Sequence, residues 1–182
     1  MAALLVIALR LVLPLSILRW PLAGGILSLV IDAIDVVLVD LFAKVFGEPG
    51  EFGPLYAQLD KYLDTYYLAL EVIVARRWQE VVPRRTAYVL FAWRLLGVIL
   101  FEITLVRPLL LVFPNLFENY FLYILVARRW FPRFVPRTIG QSVLVSAILL
   151  IPKELQEYVL HYARLHPWQW LRETFIKPLL GG

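Results

Sequence analysis

The sequence predicts an all-α, polytopic integral membrane bundle of about six transmembrane helices, followed by a C-terminal amphipathic helix at the membrane interface. Of the 182 residues, 61% are hydrophobic and 18% are charged, whereas a typical soluble domain is about 45–50% apolar and about 25% charged. The mean hydropathy is +0.75. The sequence contains no cysteine, which excludes disulfides, thiolate zinc sites and a cysteine nucleophile.

Each predicted membrane helix is an apolar run bounded by proline, glycine or arginine. A spanning helix needs about 20 mostly apolar residues. Six runs approach this length: 3–18, 22–46, 56–75, 86–106, 108–127 and 137–151. We therefore divide the chain into a transmembrane bundle over 1–152 and an interfacial tail over 153–182. The tail begins with an amphipathic pattern over 153–165, which is typical of a helix lying in the membrane surface.

Two short arginine-rich loops predict the orientation of the bundle. Loop 76–86 carries four arginines against Glu80, and loop 128–137 carries four arginines and no acid. Hereafter these are the basic loops. Short loops rich in arginine usually face the cytoplasm, so we expect both basic loops on the cytoplasmic side of the plasma (inner) membrane. Arginines placed this way do not indicate a nucleic-acid partner.

The basic loops belong to an internal sequence repeat. Residues 75–86 read ARRWQEVVPRRT and residues 127–138 read ARRWFPRFVPRT. We interpret them as the centres of two helix–loop–helix units, 56–106 and 108–151, which share one topology and place both loops on one face. The same pattern would also arise without duplication if both loops had separately acquired the basic residues that suit a membrane edge.

The apolar segments carry more ionisable side chains than lipid-facing helices tolerate, because each charge near a helix centre costs roughly 2.5–3.5 kcal/mol on insertion scales. The acids are Asp32, Asp35, Asp40, Asp60, Asp64, Glu71, Glu102 and Glu118, and the bases are Arg10, Lys61 and Arg94. Because the acids outnumber the bases, we expect some acids to face a bound cation or water, or to be protonated.

Four of these acids are spaced to meet at one site. Asp32 and Asp35 are three residues apart on the second helix, and Asp60 and Asp64 are four apart on the third, so each pair shares a helix face. We name these four residues the Asp cluster. Oxygen ligands without histidine or cysteine suit Mg²⁺, Mn²⁺ or Ca²⁺. The sequence therefore predicts a metal site in the Asp cluster, with Mg²⁺ or Mn²⁺ as the hypothesised cofactor.

Further polar side chains are expected to line the same interior. Pro114 lies within the fifth predicted helix and removes a backbone hydrogen bond, so it is expected to kink or split that helix. Broken helices with polar residues at the break commonly line binding cavities. The predicted polar core comprises Glu71, Arg94, Glu102, Asn115, Glu118 and Asn119.

Part of this pattern resembles the signature of the CDP-alcohol phosphatidyltransferases, which are six-helix membrane enzymes of similar length. The run from Asp32 to Asp35 is similar to the first D-x-x-D pair of that family, and the run from Asp60 to Asp64 is similar to its D-x-x-x-D pair. The resemblance covers residues 28–67 and lacks the family's Ala-Arg pair and first glycine. It implies that Asp32, Asp35 and Asp60 hold divalent metals. It also implies that Asp64 deprotonates an alcohol that attacks a CDP-linked lipid.

Three functions remain open from these residues. The first is a metal-dependent transferase acting on a lipid or a lipid-linked head group, with Asp64 and Arg94 as catalytic residues. The second is a cation- or proton-coupled transporter or channel that uses the same acids. The third is a non-catalytic subunit or scaffold of a membrane complex. The expected partners are the lipid bilayer, a lipid substrate, and further copies of the chain or a larger membrane complex.

Overall fold

The computed structural model describes residues 1–47, 56–106 and 108–157, whose regular structure is entirely helical. The α-helices are α1 Ala2–Val12, α2 Pro21–Phe46, α3 Tyr56–Ala75, α4 Val81–Thr104, α5 Leu109–Val112, α6 Leu116–Trp130 and α7 Ile139–Glu157. Two 3₁₀ segments, η1 Leu13–Leu18 and η2 Pro132–Phe134, follow α1 and α6. The all-α prediction is confirmed for this part of the chain.

The first two helices form a hairpin that positions the Asp cluster. Pro21 begins α2, as expected of a residue that has no N–H to donate and a φ suited to the first helical position. Gly24 lies against the backbone of Ile17 in η1, so close that a Cβ on Gly24 would be 2.4 Å from the Ile17 nitrogen. This close approach brings α1 alongside α2. As a result, Arg10 faces Asp35 across the hairpin.

The hydrophobic core is built around α6. Phe117, Tyr120 and Phe121 are fully buried and pack with Leu68 of α3. Trp78, which follows α3, stacks on Phe121 with 5.7 Å between the ring centroids. The aromatic core therefore holds α3 and α6 together and fixes the side of α3 that carries its acids.

The fifth predicted helix is broken at Pro114, as the sequence predicts. The helix α5 ends at Val112 and α6 begins at Leu116. The carbonyl oxygen of Phe113 accepts a hydrogen bond of 3.0 Å from Nη1 of the buried Arg94. Arg94 thus satisfies a backbone acceptor left by the break.

Several predicted boundaries are shifted. The last part of the fifth predicted helix, α6, ends at Trp130 rather than at 127, and two larger shifts involve proline. The helix α4 begins at Val81 rather than at 86, because Pro83 lies in its first turn, where no N–H is needed. The helix α7 continues through Pro152 to Glu157 rather than ending at 151. Lys153 is consequently buried within α7, not placed on the polar face of a separate tail. The rest of the predicted tail, from residue 158, lies outside the described residues.

The described residues combine an apolar core with several buried charged side chains, which in proteins are almost never fully buried unless paired. Exposed apolar side chains include Val36, Val89, Ile103, Ile139 and Ile151. Buried charged side chains include Arg10, Asp35, Asp64, Glu71, Arg94 and Glu118. Among the described helices, Val81–Thr104 has the length and apolar composition of a membrane span, and Ala2–Leu18 is a shorter apolar segment.

Candidate functional site

Arg10 lies at the centre of the Asp cluster, where it is only 4% exposed. Its Nη1 donates hydrogen bonds to Asp35 at 2.5 Å and to Asp60 at 2.8 Å. Its Nη2 donates to Asp32 and, at 2.8 Å, to Asp64. One guanidinium therefore joins α1, α2 and α3 through charge-assisted hydrogen bonds, which are the strong class of hydrogen bond in proteins.

Lys61 supplies the second positive charge of the site. Its Nζ donates a hydrogen bond of 2.9 Å to Asp60 Oδ2 and lies 3.6 Å from Asp64 Oδ2. Arg10 and Lys61 together neutralise two of the four carboxylates. If all six groups are ionised, the cluster keeps two negative charges in excess, which is the charge of one divalent cation.

Three of the carboxylates approach each other closely enough to share an ion. Asp32, Asp60 and Asp64 each offer an oxygen atom within 4.8 Å of the other two. Oxygen ligands lie about 2.0–2.6 Å from Mg²⁺ or Ca²⁺, so two ligands on one ion are separated by at most about 4–5 Å. These three oxygens therefore fit a single hard cation. Asp35, the fourth ligand predicted from the sequence, is not in this set.

The Asp cluster has a closed side and an accessible side. The side chains of Arg10 and Asp35 are 4% and 5% exposed, whereas those of Asp32 and Asp60 are 29% and 23% exposed. Lys61 is 20% exposed and lies beside Asp60. A small ligand can reach the Asp32 and Asp60 oxygens and the Lys61 ammonium group from the accessible side, while the guanidinium forms the back of the site.

A second polar cluster lies deeper in the bundle and consists of Tyr67, Glu71, Asn115 and Glu118, hereafter the core cluster. Tyr67 donates a hydrogen bond of 3.0 Å to Glu118 Oε1, and Asn115 Nδ2 donates one of 3.0 Å to Glu118 Oε2. All four residues are buried. Asp64, Tyr67 and Glu71 follow one face of α3 at spacings of three and four residues, so the core cluster continues the line of the Asp cluster.

The other predicted polar residues are not brought to these clusters by hydrogen bonds in the described residues. Arg94 bonds the Phe113 carbonyl, and its predicted catalytic role stays a prediction. Glu102 is partly exposed and accepts a long, 3.5 Å hydrogen bond from Tyr62. Asn119 is also only partly buried. The two glutamates buried most deeply, Glu71 and Glu118, are those that the structure gathers into the core cluster.

The two basic loops lie side by side. Glu80 of the first and Arg128 of the second form an ion pair of 3.3 Å. A cavity of about 490 Å³ between them is lined by residues from both, among them Pro83, Arg128, Pro132 and Arg137. Their tryptophans differ, because Trp78 is buried whereas Trp130 is exposed. The repeated sequence therefore occupies one edge of the bundle without repeating its packing.

The sequence does not predict three neighbours of these clusters. It identifies Arg10 as an internal base but gives it no partner. It does not single out Tyr67, although the spacing from Asp64 and Glu71 places Tyr67 on their helix face. It places Lys153 in the tail, whereas Lys153 lies in α7 and interacts electrostatically with Glu118.

No family model, curated protein or solved structure matches this chain.

Proposed function

We propose that the chain is a polytopic membrane protein that binds Mg²⁺ or Mn²⁺ at the Asp cluster and transfers a lipid or lipid-linked head group there. The observation that carries this proposal is the approach of Asp32, Asp60 and Asp64 oxygens from two helices to within 4.8 Å of one another. Arg10 and Lys61 offset two of the four like charges, and a bound cation would relieve the repulsion that remains. The two excess negative charges match one divalent ion.

The placement in a membrane is supported by the apolar surface of the helices together with their buried charged side chains. Aliphatic side chains cover much of the exposed faces of α2, α4 and α7, and Arg10, Asp35 and Asp64 are buried and paired. Ionisable residues in membrane helices face the bundle interior in this way and mark functional sites. The helices α2 and α3, with 26 and 20 residues, are long enough to cross the hydrocarbon core despite their aspartates.

A single-cysteine labelling experiment tests the orientation. The natural sequence has no cysteine, so Arg133→Cys and Glu51→Cys each introduce one unique thiol. We expect a membrane-impermeant maleimide to label Arg133→Cys only after the inner face is opened, because the basic loops are cytoplasmic. Glu51→Cys lies between the predicted helices 22–46 and 56–75, in a loop that this topology puts on the outer side. It serves as the control and is expected to label in intact cells. Labelling of Arg133→Cys from outside would reverse the topology.

The accessible side of the Asp cluster fits a phosphate-bearing substrate. A bound divalent ion supplies Lewis-acid stabilisation of charge on a transferring phosphoryl group. Lys61 lies at the accessible side and offers an ammonium donor to phosphate oxygens. Arg10 holds the four carboxylates in place from behind. Asp64, fixed between Arg10 and Lys61, is the base assigned by the resemblance to the phosphatidyltransferases.

Metal binding is expected to raise the thermal stability of the detergent-purified protein. A ligand at 100 times its dissociation constant stabilises the folded state by about 2.7 kcal/mol. We expect Mg²⁺ or Mn²⁺ to raise the unfolding midpoint of the natural protein, and the Asp60→Asn/Asp64→Asn variant to lose this shift. Glu102→Gln, which removes a carboxylate outside the cluster, should keep it. The transferase assay is release of CMP when a CDP-linked lipid and an alcohol are supplied.

The outcomes separate the proposal from its rivals. A rise of the unfolding midpoint with Mg²⁺ or Mn²⁺ but no lipid transfer would support the metal site and reject the transferase. An equal rise in the natural protein and in the Asp60→Asn/Asp64→Asn variant would reject the metal site itself. Absence of any shift, together with purification alongside a stoichiometric partner protein, would favour a scaffold whose acids and Arg10 hold the bundle together.

A cation- or proton-coupled transporter is the second candidate. The observation that favours it is the continuous polar face of α3, which joins the Asp cluster to the core cluster through Tyr67. Chains of carboxylates between membrane helices are typical of ion and proton pathways. Cation or proton flux into sealed liposomes, lost in Asp32→Asn or Glu118→Gln, would support transport, and tight vesicles would reject it.

A further inference from the structure

Glu71 is a fully buried carboxyl group without a hydrogen-bonding partner among the described residues. It is 0% exposed, and neither of its carboxyl oxygens accepts a hydrogen bond there. Asn115 Oδ1, also in the core cluster, is likewise without a donor in this part of the structure. Burying such an acceptor unpaired costs about 1–3 kcal/mol, and more if the group is charged. The core cluster is therefore short of hydrogen-bond donors.

The Glu71 carboxyl group lies between α2 and α6. Its Oε1 is 3.3 Å from the position that a Cβ on Gly25 would occupy, and Leu122 Cδ2 is 2.9 Å from that same position. Leu122 lies one turn after Glu118 on α6, just as Glu71 lies one turn after Tyr67 on α3. The absence of a side chain at Gly25 leaves room for the carboxyl group. The site is thus built from three helices.

The two glutamates of the core cluster have different charge environments. Glu118 interacts electrostatically with two cations, Lys153 of α7 and Arg94 of α4, and with one acid of the Asp cluster, Asp64. The charged neighbour of Glu71 is Glu118 itself, which has the same sign. Its neighbour on α2, Gly25, has no side chain. Glu118 is accordingly compensated, whereas no cation in the described part of the chain compensates Glu71.

We propose that Glu71 carries an exchangeable proton and makes the core cluster a proton-binding site separate from the metal site at the Asp cluster. A proton removes the buried negative charge, which has no cationic neighbour within residues 1–47, 56–106 and 108–157, and converts an acceptor into a donor among acceptor oxygens. It requires no space beyond that of the carboxyl group. The site connects to the Asp cluster along the face of α3 that carries Asp64 and Tyr67, and it does not depend on metal binding there.

Infrared spectroscopy of the detergent-purified full-length protein tests this assignment directly. A protonated carboxyl group has a carbonyl band well separated from those of carboxylates and amides. We expect this band in the natural protein and its loss in Glu71→Gln, which keeps the shape of the side chain. Glu102→Gln is the matched control and should retain the band. Transfer to D₂O should shift the band to lower frequency, because the proposed proton exchanges.

A second measurement uses the natural protein alone and so does not depend on how a variant folds. Dicyclohexylcarbodiimide is an apolar reagent that reacts with protonated carboxyl groups in apolar surroundings. We expect mass spectrometry to find the modification at Glu71, and to find less of it as the pH is raised. Protection of Glu71 by Na⁺ but not by an equal concentration of choline would overturn the proton in favour of a sodium ion.

Other results would also overturn the proposal. A spectrum with no Glu71-dependent carbonyl band would show that Glu71 is ionised. A band that never shifts in D₂O would show a fixed, structural proton instead of an exchangeable one. Because neither readout requires Mg²⁺ or Mn²⁺, a failure here is distinguishable from a failure of the metal site.

Discussion

Replacing Arg10 with leucine is expected to unfold much of the bundle or to lower its stability severely. Arg10 is 4% exposed and donates hydrogen bonds to four aspartates on two other helices. Removing one partner of a buried ion pair typically costs about 3–5 kcal/mol, because the remaining charge is left uncompensated. Here four carboxylates lose their shared partner at once. The unfolding midpoint in detergent, measured by heat or denaturant, checks this expectation.

The control is the same chemical change at an exposed position. Arg19→Leu alters an arginine at the end of η1 that is exposed, and exposed substitutions usually change stability by less than about 0.5 kcal/mol. Mg²⁺ should recover part of the stability lost in Arg10→Leu, because a divalent ion can take over the role of the guanidinium. Equal effects of Arg10→Leu and Arg19→Leu would contradict the central position of Arg10.

Gly24→Ala is expected to produce the second large effect. The added Cβ would lie 2.4 Å from the nitrogen and 2.7 Å from the Cα of Ile17, and 2.7 Å from the carbonyl carbon of Ser16. These atoms belong to the backbone and cannot rotate away, so α2 must move off η1. Overpacking of this kind costs about 1–3 kcal/mol and occasionally more. The unfolding midpoint should fall, and any Mg²⁺-dependent shift should shrink because Arg10 moves with η1.

Gly140→Ala provides the matched control for this prediction. No described atom lies within 4 Å of a Cβ at Gly140 in α7, and alanine favours a helix over glycine by about 0.5–1 kcal/mol. We therefore expect an unchanged or slightly higher unfolding midpoint. If both alanine variants behave alike, the tight contact between Gly24 and η1 has no energetic consequence.

The helices were largely predictable because apolar runs ended by helix-breaking residues carry strong local signals. The break at Pro114 was predictable because proline has no N–H to donate to the helix. Prolines at two other positions gave wrong helix boundaries, since Pro83 lies in the first turn of α4 and Pro152 is accommodated inside α7. Whether a proline ends a helix depends on its neighbours in the tertiary structure, which the local sequence does not specify.

The candidate site was predictable only in part, because the sequence shows which acids share a helix face but not how each helix is rotated in the bundle. Helical spacing places Asp60 and Asp64 on one face, but it does not say toward which helix that face is turned. That rotation is set by distant contacts, such as Gly24 against Ile17 and Trp78 against Phe121. The sequence therefore predicts that the acids converge, but it does not predict that Arg10 lies at their centre.

The position of Arg10 in α1 has a consequence for the order in which the protein is made. A nascent chain emerges from its N-terminus, so the guanidinium leaves the ribosome before α2 and α3. When the aspartates of these later helices are synthesised, their counter-ion Arg10 is already present in α1. The counter-ion of all four aspartates is thus synthesised before the helices that carry them.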